Sequence, residues 1–449
     1  MIKILHLSDI HLGSGFSHGR INPATGLNTR LEDFVNTLSK CIDRAIGQSP
    51  HSANTEPVDL VLFGGDAFPD ATPPPYVQEA FASQFRRLVD AEIPTVLLVG
   101  NHDQHSQGQG GASLCIYRTL GVPGFIVGDS IESYRIQTRN GPVQVITLPW
   151  LTRSTLLTRP ETEGLALAEV NDLLTQRLDP VLEAEIRRLD PEVPTVLLAH
   201  LMADRANLGA ERFLAVGKGF TIPLSMLTRP CFDYVALGHV HRHQNLNKSN
   251  DPPVIYPGSI ERVDFSEEKE DKGYVLIELE RGRAQWGFCP LPVRTFCTIE
   301  VDVSGAADPQ AALLKAIGKK DIKDAVVRLI YKLRSEQLDL IDNPAIHQSL
   351  SDAHSYTIRP ELVSQLARPR LPELGVGSSI NPMDALKTYL DNRDDLKDIT
   401  AEMMEAAQRL LSGDGNSGLD LVDSEAVQVG STKDSPQLTE KIDSQLRLL

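Results

Sequence analysis

Five short apolar runs within the first 241 residues each end in Asp, Asn or His, and nothing else in the chain limits its fold so tightly. IKILHL leads to Ser8-Asp9-Ile10-His11, and DLVLF to Gly64-Gly65-Asp66. TVLLV leads to Gly100-Asn101-His102-Asp103, TVLLA to His200, and YVAL to Gly238-His239-Val240-His241. Runs of this length and composition, bounded by glycine, predict buried strands. Open α/β sheets carry their sites in the crevice beyond the carboxyl ends of the strands. Five such ends delivering carboxylate, carboxamide and imidazole predict a metal site. The donors suit a divalent ion such as manganese, iron or zinc. Asp9, His11, Asp66, Asn101, His200, His239 and His241 are too many ligands for one ion. Two ions sharing one carboxylate fit that count, an arrangement used to cleave phosphate esters.

Each motif has a plainer reading when taken alone. Asp9 and His11 alternate along an extended end and can face one ion; separately they read as a capping Asp and a core His. Gly64-Gly65 permits a sharp turn before Asp66, placing its carboxylate between two ions, although Gly-Asp also fits an ordinary turn. In Gly100-Asn101-His102-Asp103, the amide oxygen of Asn101 can serve an ion. His102 is then expected to face the substrate, with Asp103 holding its imidazole. His239 and His241 fall on one side of an extended segment. It is the order of the five motifs, all at strand ends, that selects the metal reading. His6 reads as a core histidine, His243 as facing solvent or supporting a ligand, and Arg262 with Asp264 as an ion pair or turn contact.

This ordered set resembles the calcineurin-like metallophosphoesterase superfamily. The resemblance implies an α/β fold, a four-layer αββα sandwich of two sheets flanked by helices. One ion is then held by Asp9, His11, Asp66 and His241, the other by Asp66, Asn101, His200 and His239. The ions polarise the phosphorus centre and lower the pKa of the attacking water. His102, oriented by Asp103, stabilises the developing charge or protonates the leaving oxygen. A second segment, Pro257-Gly258-Ser259-Ile260-Glu261-Arg262-Val263-Asp264-Phe265-Ser266-Glu267 with Lys272-Gly273-Tyr274-Val275, resembles the stretch that closes the nuclease domain in the SbcD family, the nuclease subunits of SbcCD-type DNA repair complexes. Roughly residues 1–411 share that layout. The resemblance implies a manganese-dependent DNA nuclease, exonucleolytic on duplex ends and endonucleolytic on single strands and hairpins. It implies a homodimer through helices of the catalytic domain, within a heterotetramer completed by an SbcC-like coiled-coil ATPase whose ATP binding gates the site. One departure stands out. Archaeal and eukaryotic relatives carry a His three residues after the bridging Asp, where this chain has Pro69.

The organisation follows from the patterning. Residues 1–290 alternate strand and helix signals and form the expected metallophosphoesterase nuclease domain. Leu31, Phe34, Leu38 and Ile42, and Val77, Phe81, Phe85 and Leu88, recur at helical spacing. Residues 161–190 read as helical pieces broken at Pro180. GYVLIELE is a strand that closes the domain. Residues 13–34 form a long insert that shapes the substrate groove or dimer contact, or is a surface loop. Residues 291–366 form an expected small α+β capping domain, with strands at 294–303 and 325–332 and a helix at 309–319. Residues 367–411 are a linker followed by a C-terminal helical pair with a break near 392–395, for docking the partner. Residues 412–449, polar and acidic, are expected to be disordered.

Charge separates these parts. The net charge is −16, yet residues 291–370, the capping segment with the start of the linker, carry 11 Lys and Arg against 10 Asp and Glu, so that stretch is the one part that is not acidic. A phosphate-backbone binder needs local basic surface. Five cysteines without CxxC spacing read as reduced, mostly buried thiols of a cytoplasmic protein. No signal peptide or membrane-length apolar run is visible. Other enzymes of the superfamily remain open: a small-molecule phosphodiesterase or nucleotidase, or a protein phosphatase. So does a non-catalytic scaffold, which the complete ligand set opposes.

Overall fold

The computed structural model describes residues 1–48, 56–104, 111–152, 156–157, 165–207, 221–249, 251–363, 382–391 and 399–411. The expected linker, the break near 392–395 and the acidic tail lie outside the described residues. The chain divides into two compact units, Met1–Ser364 and Gln365–Leu449.

The first unit begins β1 (Ile2–Leu7), α1 (Thr29–Ala45), β2 (Leu60–Phe63), α2 (Pro75–Asp90), β3 (Thr95–Leu98), α3 (Cys115–Thr119) and β4 (Phe125–Gly128). It continues β5 (Glu132–Thr138), β6 (Gly141–Leu148), α4 (Leu167–Ile186), β7 (Thr195–His200), β8 (Met202–Ala203), β9 (Thr221–Ile222) and α5 (Leu224–Leu227). Then come β10 (Tyr234–Gly238), β11 (Gln244–Asn245), β12 (Val254–Tyr256), β13 (Gly273–Glu280) and β14 (Arg283–Pro290). It ends with β15 (Phe296–Asp302), α6 (Pro309–Ile317), β16 (Val326–Leu333), α7 (Asn343–Ser349) and β17 (Ser355–Leu362). The second unit contains α8 (Pro382–Asp391) and α9 (Thr400–Leu411), which pack on each other.

Two six-stranded sheets dominate, ordered β14-β13-β1-β2-β3-β4 and β11-β12-β10-β7-β6-β5. Their central strands are parallel and their outer pairs include antiparallel partners. Side chains alternate across a strand, and the buried runs divide accordingly. Ile4, Leu60, Leu62, Val96 and Leu98 pack with Val145, Val196, Leu198, Tyr234 and Ala236 between the sheets. Leu5, Leu7, Val61, Phe63 and Leu97 turn to the opposite face and meet Leu31, Phe34, Phe81 and Phe85 of α1 and α2. Leu174, Leu178 and Leu182 of α4 pack over the far face of the second sheet, against Leu197 and Leu237. Asn28 caps α1 by accepting from Arg30 N, and α2 opens on Pro75, where a missing N–H costs nothing.

β15, β16 and β17 form a separate parallel sheet with α6 and α7, around Val327, Leu329, Leu313, Ile317 and Ile346. The expected strands and helix of this segment are present. β17 was not foreseen; it is an edge strand carrying Pro360, with alternating half-exposed residues, and proline is tolerated there. Nor was β14 foreseen, so GYVLIELE lies one strand inside the sheet edge. Pro180 does not break its helix: α4 runs unbroken for 20 residues. Its apolar stripe is buried while Pro180 itself faces solvent, so packing outweighs the lost hydrogen bond. All five cysteines are free, but only Cys41 and Cys297 are buried. Among the described residues, no helix is long and apolar enough to cross a membrane.

Candidate metal centre

The centre is assembled by loops that leave the carboxyl ends of β1, β2, β3, β7 and β10, all central strands. The expected extended geometry stops short of the donors except at His200, the last residue of β7. β1 ends at Leu7, and Asp9 and His11 adopt positive φ of 52° and 46°. β10 ends at Gly238, and His239 has φ 104°, so His239 and His241 do not share one side of an extended segment. Backbone hydrogen bonds knit these turns together: Asp9 N donates to Gly65 O at 2.9 Å and His11 N to Asp66 O at 3.0 Å. Gly65 is required twice over. Its φ is +98°, and a Cβ there would stand 2.5 Å from His200 Nδ1.

The seven donors fall into two groups that share Asp66. His200 Nδ1 donates to Gly64 O at 2.7 Å, which turns its Nε2 toward Asn101 Oδ1 at 3.0 Å and Asp66 Oδ2 at 3.3 Å. His239 Nδ1 also lies 3.0 Å from Asn101 Oδ1. On the other side, His11 Nε2 is 3.7 Å from Asp66 Oδ2 and 3.0 Å from His241 Nε2. The ligand atoms of Asp9, His11 and His241 lie within 4.8 Å of one another, as do those of His11, Asp66 and His102, and those of Asp66, His200 and His239. Asp66 Oδ1 is occupied by His102 N at 2.9 Å, leaving Oδ2 between the groups.

His239 Nε2 is buried with no hydrogen-bond partner among the described residues; an unpaired buried nitrogen is costly, and a cation held with Asp66 and His200 would pair it. Metal–nitrogen bonds of about 2.1 Å place adjacent donors roughly 3 Å apart, matching these spacings. The donor set therefore fits divalent ions.

The charge of each group is set by its neighbours. Burial raises the Asp9 carboxyl above its ordinary range. Burial acts likewise on Asp66, but the neighbouring His200 and His11 imidazoles outweigh it and hold that carboxyl well below the usual range. Burial would lower His200, yet the Asp66 carboxylate lifts it to about 9. His239 is lowered to about 3 by burial and by His200.

The two expected catalytic residues are placed differently from the sequence reading. Asp103 does not hold His102. Its buried carboxylate accepts Asp66 N and Gly100 N, both at 2.9 Å, and Ala67 N at 3.0 Å. Three backbone amides outcompete one imidazole, so Asp103 shapes the turns that carry Asp66 and Asn101. Burial and the Asp66 charge push it up to about 7. His102 instead donates Nδ1–H to Pro69 O at 2.7 Å, and its ring stands 4.9 Å from His11 at the half-exposed rim.

His6 is a core residue bonded to Tyr234 Oη and Leu237 O. His243 bonds Tyr256 O and stacks on Phe288. Arg262 donates to the carbonyls of Glu267, Arg294 and Glu270, while Asp264 caps a 3-10 turn, so both make turn contacts. The sequence reading missed Ser8, which bonds Asp9; Trp150, whose ring lies 4.8 Å from His239; and Glu267, 2.7 Å from His241 Nδ1. Only Glu267 left a trace in the sequence, as part of the segment 257–275.

The model of the calcineurin-like phosphoesterase family matches residues 2–243. The chain is similar to the SbcD subunit of the SbcCD nuclease from Staphylococcus epidermidis, 25% identical over 305 residues, which is 67% of this chain and 73% of that protein. Among solved structures it is similar to the sulfate thiohydrolase SoxB of Thermus thermophilus in complex with glycerol, with TM-score 0.29 and 13% identity over 71% of this chain and 60% of that one. It is also similar to the glutamine-dependent NAD+ synthetase of Acinetobacter baumannii in complex with adenosine diphosphate, with TM-score 0.28 and 12% identity over 92% of this chain and 72% of that one. At those TM-scores neither structure carries an argument.

Proposed function

The chain belongs to the calcineurin-like phosphoesterase family, and from that premise we propose that it is a metal-dependent DNA nuclease of an SbcCD-type repair complex. The observation that carries the catalytic part is the pair of donor groups meeting at Asp66 Oδ2. In this reading Asp9, His11, Asp66 and His241 hold one ion, and Asp66, Asn101, His200 and His239 the other, with manganese the proposed metal. Bound ions supply Lewis-acid polarisation of the phosphorus centre and a nucleophile at neutral pH. The chain supplies the rest. Asp66 keeps the two groups adjacent. His200 is fixed by Gly64 O and Asn101 by its turn, so little reorganisation is needed on loading. His102, held through Nδ1 by Pro69 O, offers an Nε2–H in its imidazolium form to the phosphoryl oxygens or the leaving group. Asp103 acts on the turns rather than on His102.

DNA as substrate rests on the similarity to an SbcCD nuclease subunit and on the segment 257–275. Residues 291–366 are proposed to cap the site and to meet the DNA backbone, in keeping with their near-neutral charge. The helices at 383–411 are proposed to dock an SbcC-like coiled-coil ATPase, and the nuclease domain to form a homodimer, in the cytoplasm. The test is manganese-dependent cleavage of end-labelled duplex and hairpin DNA, with a His102→Ser variant and a bis-phosphate-ester dye alongside. DNA cleavage lost in the variant is expected. Dye hydrolysis without DNA cleavage, even with an SbcC-like partner present, would favour a small-molecule phosphodiesterase instead.

A further inference from the structure

Glu267 sits in a stretch, Ser266-Glu267-Glu268-Lys269-Glu270-Asp271, that reads as solvated acidic surface. The structure buries it. Its relative exposure is 3%, and its two oxygens are fully engaged. Oε1 lies 2.7 Å from His241 Nδ1. Oε2 lies 2.8 Å from Lys272 Nζ and accepts Val263 N at 3.0 Å. Lys272, itself buried, also donates to His241 O at 3.1 Å and pairs with Glu270 at 2.9 Å. A closed ring results: Glu267 holds the His241 ring, Lys272 holds its backbone, and the two charges hold each other.

We infer that Glu267 is a positioning residue for the donor group of Asp9, His11, Asp66 and His241, fixing His241 with Nδ1 protonated and Nε2 presented to the ion. A neutral imidazole has one N–H, and the hydrogen bond made by one nitrogen decides which atom is left as ligand. A carboxylate at Nδ1 also raises the basicity of Nε2, and loss of such a partner typically costs 10–100-fold in metal affinity. Burial alone would raise Glu267, but His241 and Lys272 outweigh it and hold its carboxyl low. The other donor group is served differently: His200 gives its Nδ1–H to a neutral carbonyl. Of these two histidines, His241 is thus held at Nδ1 by a carboxylate and His200 by a neutral carbonyl.

This inference rests on the two-ion reading, and the experiment separates the two. Manganese is titrated into the full metal-free chain and followed by calorimetry and by electron paramagnetic resonance, in which an exchange-coupled pair differs from an isolated ion. The wild type is expected to form the coupled pair. Glu267→Ala is expected to bind one ion with near wild-type affinity and to need 10–100-fold more manganese for the pair. Glu267→Gln, which keeps an acceptor without the charge, should fall between. Glu267→Gln/Lys272→Met removes both buried charges and covers failure of the single variants to fold. Nitrogen-15 spectra of the wild-type histidines supply a reading that needs no variant, with His241 expected as the Nδ1–H tautomer. A wild-type chain that never forms the pair removes the two-ion reading and this inference with it. A wild-type pair with unchanged titrations in the variants, or a His241 protonated on Nε2, overturns this inference alone.

Discussion

Asp9, His11, Asp66 and His239 hold positive φ, at 52°, 46°, 59° and 104°, and all four are candidate metal donors. Non-glycine residues in this region cost on the order of 1–3 kcal/mol each and persist where surrounding structure over-determines them. Here the neighbouring loops do so: His239 N donates to both oxygens of Asp9, at 3.0 and 3.1 Å. That these residues come together was legible in the motif order, because each follows the end of a buried strand run. Their orientation was not, since side-chain alternation holds only for extended backbone. The same gap misassigned Asp103. Asp103→Asn leaves one acceptor oxygen for three amides, so it should lower stability by about 1–3 kcal/mol and weaken manganese binding in both groups. Denaturant unfolding and calorimetry check this; unchanged stability with a lower kcat would return Asp103 to the role of orienting His102. His6 gives a prediction in pH. Burial lowers its pKa from 6.5 to about 3, so the folded chain keeps it neutral while the unfolded chain protonates below 6.5. Between those values the unfolded state binds the extra proton, and stability falls with falling pH by up to about 1.4 kcal/mol per unit. Denaturant midpoints from pH 6 to 4 should fall more steeply for the wild type than for His6→Gln.

Elements were read best where periodicity and burial agree, as in β1, β2, β3, α1 and α2, and worst where tertiary packing overrides a local rule. α4 shows the override. Val170, Leu174, Leu178 and Leu182 are buried along one stripe, and that face holds the helix together across Pro180. An interior proline costs about 3 kcal/mol in helix terms, part of which is regained because proline restricts the unfolded chain. Pro180→Ala should therefore raise stability by about 1–3 kcal/mol and leave phosphodiester hydrolysis unchanged, as melting curves and a dye assay would show. A lowered melting temperature would mean that Pro180 itself is needed for the packing of α4. The stretch between β12 and β13 was harder to read for a different reason. Its acidic run suggests solvent, but burial is decided by partners distant in sequence: Phe265 packs on Phe296, Arg328 lies over Phe265, and Glu268 accepts Thr298 N. No pattern within 261–272 encodes those contacts.

At the scale of the first unit, one arginine ties the three-stranded sheet both to α1 and to the segment before β13. Arg294 pairs with both oxygens of Asp33 on α1, at 2.6 and 2.7 Å, and with Asp324 at 2.9 Å just before β16. Its carbonyl accepts Arg262 from the segment that carries Glu267. His354 adds a bond from the same sheet to Thr29 at 2.7 Å. If that sheet is what meets the DNA backbone, its seating should matter to a long polyanion and hardly at all to a small ester, because both donor groups lie on the two large sheets. Arg294→Met removes the fork and leaves every metal donor and His102 in place. Half-buried bidentate pairs contribute more than exposed ones, so a measurable loss of stability is expected without unfolding. The dye-hydrolysis rate should stay within about twofold, whereas cleavage of duplex DNA should fall by about tenfold or more, and its dependence on salt should flatten as phosphate contacts are lost. Equal losses on both substrates would instead make the sheet a prop for the catalytic loops, acting through Arg262 and Glu267. Equal retention on both would detach it from substrate binding, leaving DNA recognition to the large sheets and their loops.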